Sequence, residues 1–328
     1  MKKIIEKFNS LNIVVIGDVM LDIFTYGISE RLSPEAPVPI IRIDQRKFCA
    51  GGAGNVSNNL QALGIKNYLF GVIGDDSAAQ QLTEILSVSA IDNCLCSTPN
   101  RPTTTKDRFI AGTQQLLRVD HESTEKISAD LETTILENLK TLLNEKKIDA
   151  IIFSDYNKGT LSNKLVADIM ELAANQNIIT ALDPKPNSIE IPKNLTILKP
   201  NRHEAFNLAN MSDNLFGTKE ERLGLLEKAA KIIYDRYQPE YLIISLSADG
   251  IAIYQDGKLS ITPTAAKEVF DVSGAGDTLL STLVGALAAG GTILESTSLA
   301  NISATIAVSK SGTSSVSADE LLRAIPCR

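Results

Sequence analysis

The chain has 328 residues, 44% hydrophobic and 22% charged, an ordinary globular composition with enough length for one large core and a small appendage. Its formal charge of −7 sets the surface as a whole against nucleic acid and anionic membranes, so an anionic ligand requires a local basic cluster. Cys49, Cys94, Cys96 and Cys327 lack paired metal-ligand spacing and read as reduced thiols.

Glu6 and Lys7 interrupt any apolar stretch at the start, so no secretory signal is expected, and the apolar run at 279–289 is too short to span a bilayer. The expectation is a cytoplasmic protein. Residues 11–17 are β-branched and apolar, as in a buried parallel strand, and end in Gly-Asp. Alternating segments at 38–43, 103–110 and 115–119 read as half-exposed antiparallel strands of a small sheet. Between them come a helix at 53–63 opened by Gly51-Gly52, a strand at 68–73 and a helix at 77–86.

From residue 131 the pattern is regular: a helix to 144, a strand at 148–153, a helix at 163–175 and strands at 178–182 and 195–198. A helix at 219–237 leads to a strand at 241–245 and a hairpin turning at Asp256-Gly257, and helices at 278–289 and 295–310 close the chain. This alternation argues for an α/β fold with an open, mostly parallel sheet sandwiched by helices. No boundary frees a second domain, so residues 1–328 are expected to form one unit with lid strands inserted at about 18–50 and 95–120. In such sheets ligands sit beyond the C-terminal strand ends, which points to the turns at 17–22, 154–159, 183–185, 200–204 and 245–250.

Asp271-Val-Ser-Gly-Ala-Gly-Asp277 runs into an apolar helix. The backbone N–H groups of Gly274, Ala275 and Gly276 would sit at the positive end of that helix, suited to an anion, with Asp277 at the mouth as a candidate base. An ordinary glycine turn is the bland alternative. A second cluster, Gly51-Gly-Ala-Gly-Asn55, opens another helix, and neither a P-loop nor a protein-kinase motif set is present.

Together these two clusters resemble the paired signatures of the ribokinase-like (PfkB) carbohydrate kinases, over essentially the whole chain. Several stretches resemble the D-glycero-β-D-manno-heptose-7-phosphate kinase branch: Gly17-Asp-Val-Met-Leu-Asp22, Ser33-Pro-Glu-Ala-Pro-Val-Pro39, Gln114-Gln-Leu-Leu-Arg118, Ser154-Asp-Tyr-Asn-Lys-Gly159, Asp183-Pro-Lys185 and Gly312-Thr-Ser-Ser-Val-Ser317. The resemblance implies ATP-dependent phosphorylation of the anomeric hydroxyl of that sugar phosphate, in the supply of lipopolysaccharide precursors. Asp277 would be the base and residues 274–276 the anion hole. Asn201 and Glu204 would handle Mg²⁺ and the ATP phosphates through water, although the same pair also reads as a helix capping box. Ser245, Ser247, Gly250 and Asn301 would line the nucleotide. Asp271, Ser273, Ala307, Gly312 and Ser315 match a monovalent-cation loop, and relatives differ in whether they use potassium there, so K⁺ stays open.

On the sugar side Asp22 would accept hydroxyl hydrogen bonds beside Gly51, Gly52 and Asn55, with Asp183 nearby. A phosphorylated sugar adds a dianion, for which Lys106, Arg108, Arg118, Lys158 and Lys185 are the candidates. The pattern ends without a fused nucleotidyltransferase, so a stand-alone kinase is expected. Lid strands in this family often mediate dimers, and a homodimer is the expected assembly. The rivals are a PfkB kinase of another sugar and a catalytically silent sugar or nucleotide sensor.

Overall fold

The computed structural model describes residues 1–213, 217–264, 274–310 and 314–325. After α1 (Lys2–Ile5), β1 (Asn12–Gly17) and the long pair β2 (Val19–Leu32) and β3 (Pro39–Gly52) lead into α2 (Ala53–Ala62), β4 (Lys66–Gly74), α3 (Ser77–Val88) and β5 (Asp92–Thr98). The chain continues through β6 (Thr104–Ala111), β7 (Gln114–His121), α4 (Ala129–Glu145), β8 (Ala150–Ser154), α5 (Asn163–Gln176), β9 (Ile179–Asp183) and β10 (Ile197–Leu198). Then follow α6 (Arg202–Leu208), α7 (Lys219–Tyr237), β11 (Tyr241–Ser245), β12 (Ile251–Gln255), β13 (Lys258–Thr262), α8 (Ala275–Ala288), α9 (Ile293–Val308) and α10 (Ala318–Ala324).

Nine strands form the main sheet in the order β13-β12-β11-β10-β9-β8-β1-β4-β5, parallel from β11 to β5 and antiparallel at the β12 and β13 edge. β1 shows why it lies at the centre. Ile13 and Val15 join the core under α2, α8 and α9, while Val14 and Ile16 join the one under α4, α5 and α7, so an apolar residue is needed at every position. The candidate turns at 17–22, 154–159, 183–185, 200–204 and 245–250 follow the C-terminal ends of β1, β8, β9, β10 and β11, as expected for an open parallel sheet.

The lid is a four-stranded sheet, β3-β2-β6-β7. It differs from the all-antiparallel expectation because β2 and β6 run parallel. The chain leaves the lid at Gly52, passes through α2, β4, α3 and β5, and re-enters by a crossover, which permits a parallel return. β5 pairs with β4, so residues 95–98 belong to the main sheet and the second lid insertion begins at Thr104. Among the described residues no helix is long and apolar enough to cross a membrane, and Cys49, Cys94 and Cys96 are in no disulfide; Cys327 lies outside them.

Candidate active site

α8 begins at Ala275, three residues before the apolar run suggests, with Gly274 as its N-cap at φ 80°. That left-handed conformation suits glycine, and no side chain caps the helix among the described residues. The orphan amides are therefore those of Gly274, Ala275 and Gly276, as expected, together with that of Asp277, at the positive end of a 14-residue helix.

Asp277 is 5% exposed, and both carboxylate oxygens are engaged. Asn55 Nδ2 donates to Oδ2 at 2.6 Å and the Tyr156 hydroxyl donates to Oδ1 at 2.8 Å. Burial pushes the Asp277 carboxyl up to about 6; the Asn55 bond opposes this, Asp183 adds to it, and the Tyr156 bond and Lys199 oppose it again. Asn55 thus reaches Asp277, the candidate base, rather than standing on the sugar side alone. The same helix faces are tied by Thr278 Oγ1 donating to Asn59 Oδ1 at 2.8 Å and Ser281 Oγ donating to the Val56 carbonyl at 3.1 Å, so α2 and α8 carry the two glycine clusters as one body.

Tyr156 was not singled out in sequence, because an aromatic residue in a polar turn reads as packing. Its turn is built by Asp18, also passed over: Oδ2 accepts from the backbone N–H groups of Tyr156 and Lys158, both at 2.9 Å, and Oδ1 accepts from Thr160 N at 3.0 Å. Lys199 is the third omission. Buried at the end of β10, it pairs with Asp183 at 2.9 Å, and its ammonium lies 3.9 Å from where a Cβ on Gly276 would be. A fixed positive charge thus stands beside the uncapped amides. The signal for it was a lysine directly after an apolar strand.

Asn201 and Glu204 form the capping box of α6: Asn201 Oδ1 accepts from Glu204 N at 2.9 Å and Glu204 Oε2 accepts from Asn201 N at 2.7 Å. Glu204 Oε1 pairs with Lys185 Nζ at 2.5 Å. Among the described residues no three His, Cys, Asp or Glu side chains converge on a metal position. One carboxylate and one amide fit a cation that keeps most of its own water, as Mg²⁺ does with phosphates.

Ser245 ends β11 and bridges to Asn201, and Ser247 opens the short 3-10 turn before Gly250. Asn301, buried on α9, donates to the Pro263 carbonyl at 2.7 Å. The nucleotide candidates therefore line the same end of the sheet as Glu204. Asp271, Ser273 and Gly312 lie outside the described residues; Ala307 is buried on α9, and the Ser315 carbonyl accepts from Lys310 Nζ at 2.9 Å.

On the lid, Asp22 is 5% exposed and packs against Gly51, where a Cβ would fall 2.2 Å from its Oδ2; Gly52 is the N-cap of α2. Only glycine at 51 admits the carboxylate. Every basic candidate already holds a carboxylate: Arg108 pairs with Asp22 at 2.6 Å, Lys106 with Asp120 at 3.3 Å, Arg118 with Asp120 at 2.8 Å, Lys158 with Glu122 at 2.6 Å and Lys185 with Glu204. Burial opposes the Lys185 charge, yet Asp183 and Glu204 hold its pKa above the ordinary value.

The family profile described as "pfkB family carbohydrate kinase" matches residues 10–320. Curated relatives include the "Bifunctional protein HldE" of Hyphomonas neptunium, 40% identical over 98% of this chain and 65% of the relative. That of Paramagnetospirillum magneticum is 37% identical over 98% of this chain and 64% of the relative. The chain thus spans about two thirds of the length of these relatives. Among solved structures, phosphofructokinase-2 from Escherichia coli in complex with potassium superposes with a TM-score of 0.75 at 16% identity, covering 95% of this chain and 97% of that one. Arabidopsis thaliana ribokinase complexed with ribose and ATP gives 0.67 at 19% identity, covering 96% and 98%.

Proposed function

Because the chain belongs to the pfkB family of carbohydrate kinases, we propose that it transfers the γ-phosphoryl group of ATP to the anomeric hydroxyl of D-glycero-β-D-manno-heptose 7-phosphate, giving the 1,7-bisphosphate. The observation that carries the reaction type is Asp277, a buried carboxylate held by Asn55 and Tyr156 at the start of an uncapped helix. Its raised pKa of about 6 leaves it ionised at neutral pH and still basic enough to take a hydroxyl proton. The sugar C1 oxygen attacks the γ-phosphorus as its proton passes to Asp277, the bond from that phosphorus to the ADP oxygen breaks, and the amides of Gly274, Ala275, Gly276 and Asp277 with Lys199 hold the developing charge. Mg²⁺, bound with ATP, would be held through water by Glu204 and Asn201 and would neutralise phosphate charge.

The heptose assignment is supported by the branch-like stretches at 17–22, 33–39, 114–118 and 154–159 and by the likeness to the HldE proteins. The basic lid residues suit a phosphorylated sugar better than a neutral one. The test is product formation by mass spectrometry with ATP and heptose 7-phosphate, ribose, fructose or fructose 6-phosphate. A heptose bisphosphate as the main product is expected; preferential turnover of another sugar would overturn the heptose assignment, and nucleotide binding without turnover of any sugar would overturn the kinase reaction.

We place the enzyme in the cytoplasm, where ATP is supplied, as a single kinase unit over residues 1–328 and as a homodimer formed through the lid. Leu117 and Val119 on β7 are 56% and 47% exposed and alternate with Arg118 and Asp120, so they point to the face opposite the sugar side. Ile43 on β3 adds a third apolar side chain at 46%. Such a face is suited to pairing with its own copy. Light scattering is expected to give twice the 35.4 kDa chain mass, and Leu117→Lys is expected to return it to the monomer; a monomeric wild type would remove the lid dimer.

A further inference from the structure

We infer that the Arg108–Asp22 ion pair is a partner-exchange device that selects phosphorylated over unphosphorylated sugars, an inference that rests on the sugar-phosphate reading above. The lid register carries the argument. Asp22 stands opposite Lys106 and Phe24 opposite Arg108 across β2 and β6, while Arg108 stands opposite Arg118 across β6 and β7. Phe24 also stands opposite Lys47 on β3. Directly opposed residues share a face, and so do residues two apart in a strand. Asp22 therefore lies in one row and Lys47, Phe24, Arg108 and Arg118 in the next, about 6.6 Å further out along the strands. A sugar whose hydroxyls reach Asp22 would place an outward phosphate on that second row.

Arg108 reaches back to the first row. Its Nη1 lies 2.6 Å from Asp22 Oδ1, with side-chain exposures of 17% and 8%, and its guanidinium lies 5.0 Å from the Phe24 ring centre. Arg108 thus holds one oxygen of a carboxylate whose side chain is only 8% exposed, and a hydroxyl that takes that oxygen must displace the guanidinium. A neutral sugar then competes with a charge-assisted hydrogen bond for that oxygen and offers Arg108 nothing in return. A sugar phosphate offers a dianion that accepts both arms of the guanidinium, so Arg108 moves to the phosphate as the hydroxyl takes Asp22. Arg118, 48% exposed beside Asp120, is placed to be the second cation of the row.

A contact that only binds phosphate would leave neutral sugars unaffected when removed; a partner-exchange device predicts that they improve. The experiment measures KM for heptose 7-phosphate and for the unphosphorylated heptose at saturating MgATP, in wild type, Arg108→Gln and Arg108→Lys. Arg108→Gln is expected to raise KM for the sugar phosphate about 30-fold and to lower KM for the neutral sugar at least about threefold. Arg108→Lys keeps the charge without the fork and is expected to move both values in the same directions by less, which carries the test if the Gln variant does not fold. Equal losses on both sugars, or a neutral-sugar KM that stays put in both variants, would overturn the exchange. A wild type that shows no preference for the phosphorylated sugar would overturn the sugar-phosphate reading itself, and that is seen before any variant is made.

Discussion

Asp277→Asn is expected to lower kcat about 10³-fold while nucleotide and sugar still bind and the fold becomes more stable near neutral pH. The substitution keeps the shape: Asn55 Nδ2 can still donate to the remaining carbonyl oxygen, and the Tyr156 hydroxyl can rotate to accept from the new amide. What is lost is the proposed base. The stability gain follows from the direction of the pKa shift. Folding raises Asp277 from 3.8 to about 6, so the folded state holds its proton more tightly and the ionised form is the disfavoured one. At pH 7 this shift of about two units corresponds to about 3 kcal/mol of destabilisation, which disappears as pH falls from 6 toward 3.8. The Asn variant, which carries no such charge, should therefore melt higher than wild type at pH 7 to 8, and the difference should vanish below pH 4. Activity must run the other way: wild-type kcat/KM is expected to rise with unit slope through pH 6 and level off above it, and Tyr156→Phe, which removes a donor to the ionised form, should move that limb to higher pH. A variant that retains turnover, or one that loses turnover only because it no longer binds MgATP, would take Asp277 out of the role of base.

Sequence patterns reached furthest where the determining interactions are local. The β11 strand at 241–245 and the α7 helix at 219–237 coincide with their expected bounds, since α7 is announced by its own capping box from Thr218 to Glu221 and β11 is an apolar run between polar ends. The uncapped amides ahead of α8 and the neighbouring Asp277 were legible for the same reason, because they occupy one continuous segment. β2 was not. Its first half is buried on both sides and its second half is exposed, so no single alternation runs through its 14 residues, and its extended form depends on pairing with β3 and β6. β5 was missed because its polar residues suit the edge of the sheet, away from the buried centre. Within the site, Asn55 and Tyr156 meet Asp277 across 222 and 121 positions of sequence, which no local pattern encodes. The basic residues are a related case: their charge is visible in sequence, but which carboxylate each one holds is decided by the lid register.

Asp18→Asn is expected to be the most damaging conservative change outside the reacting groups, destabilising the protein by about 3 kcal/mol and lowering kcat by up to about 10²-fold. Asp18 is 1% exposed, and its two oxygens accept three backbone N–H groups, those of Tyr156, Lys158 and Thr160. An asparagine brings one acceptor oxygen and two donors in the same space. If its oxygen faces Tyr156 and Lys158, its amide confronts Thr160 N–H; in the other orientation two backbone donors are orphaned. Either way a buried N–H is left without an acceptor. The consequence reaches the chemistry because the braced turn delivers the Tyr156 hydroxyl to Asp277, while the backbone carbonyl of Asp18 accepts from Ala53 N at 2.9 Å and holds the first turn of α2, from which Asn55 reaches the other oxygen of the base. One residue at the end of β1 therefore anchors both donors that position Asp277. Urea unfolding and steady-state kinetics on the same preparation test this: the midpoint and kcat should fall together, with KM for MgATP little changed. A loss of kcat at unaltered stability would mean that Asp18 meets the substrate directly rather than bracing the turn.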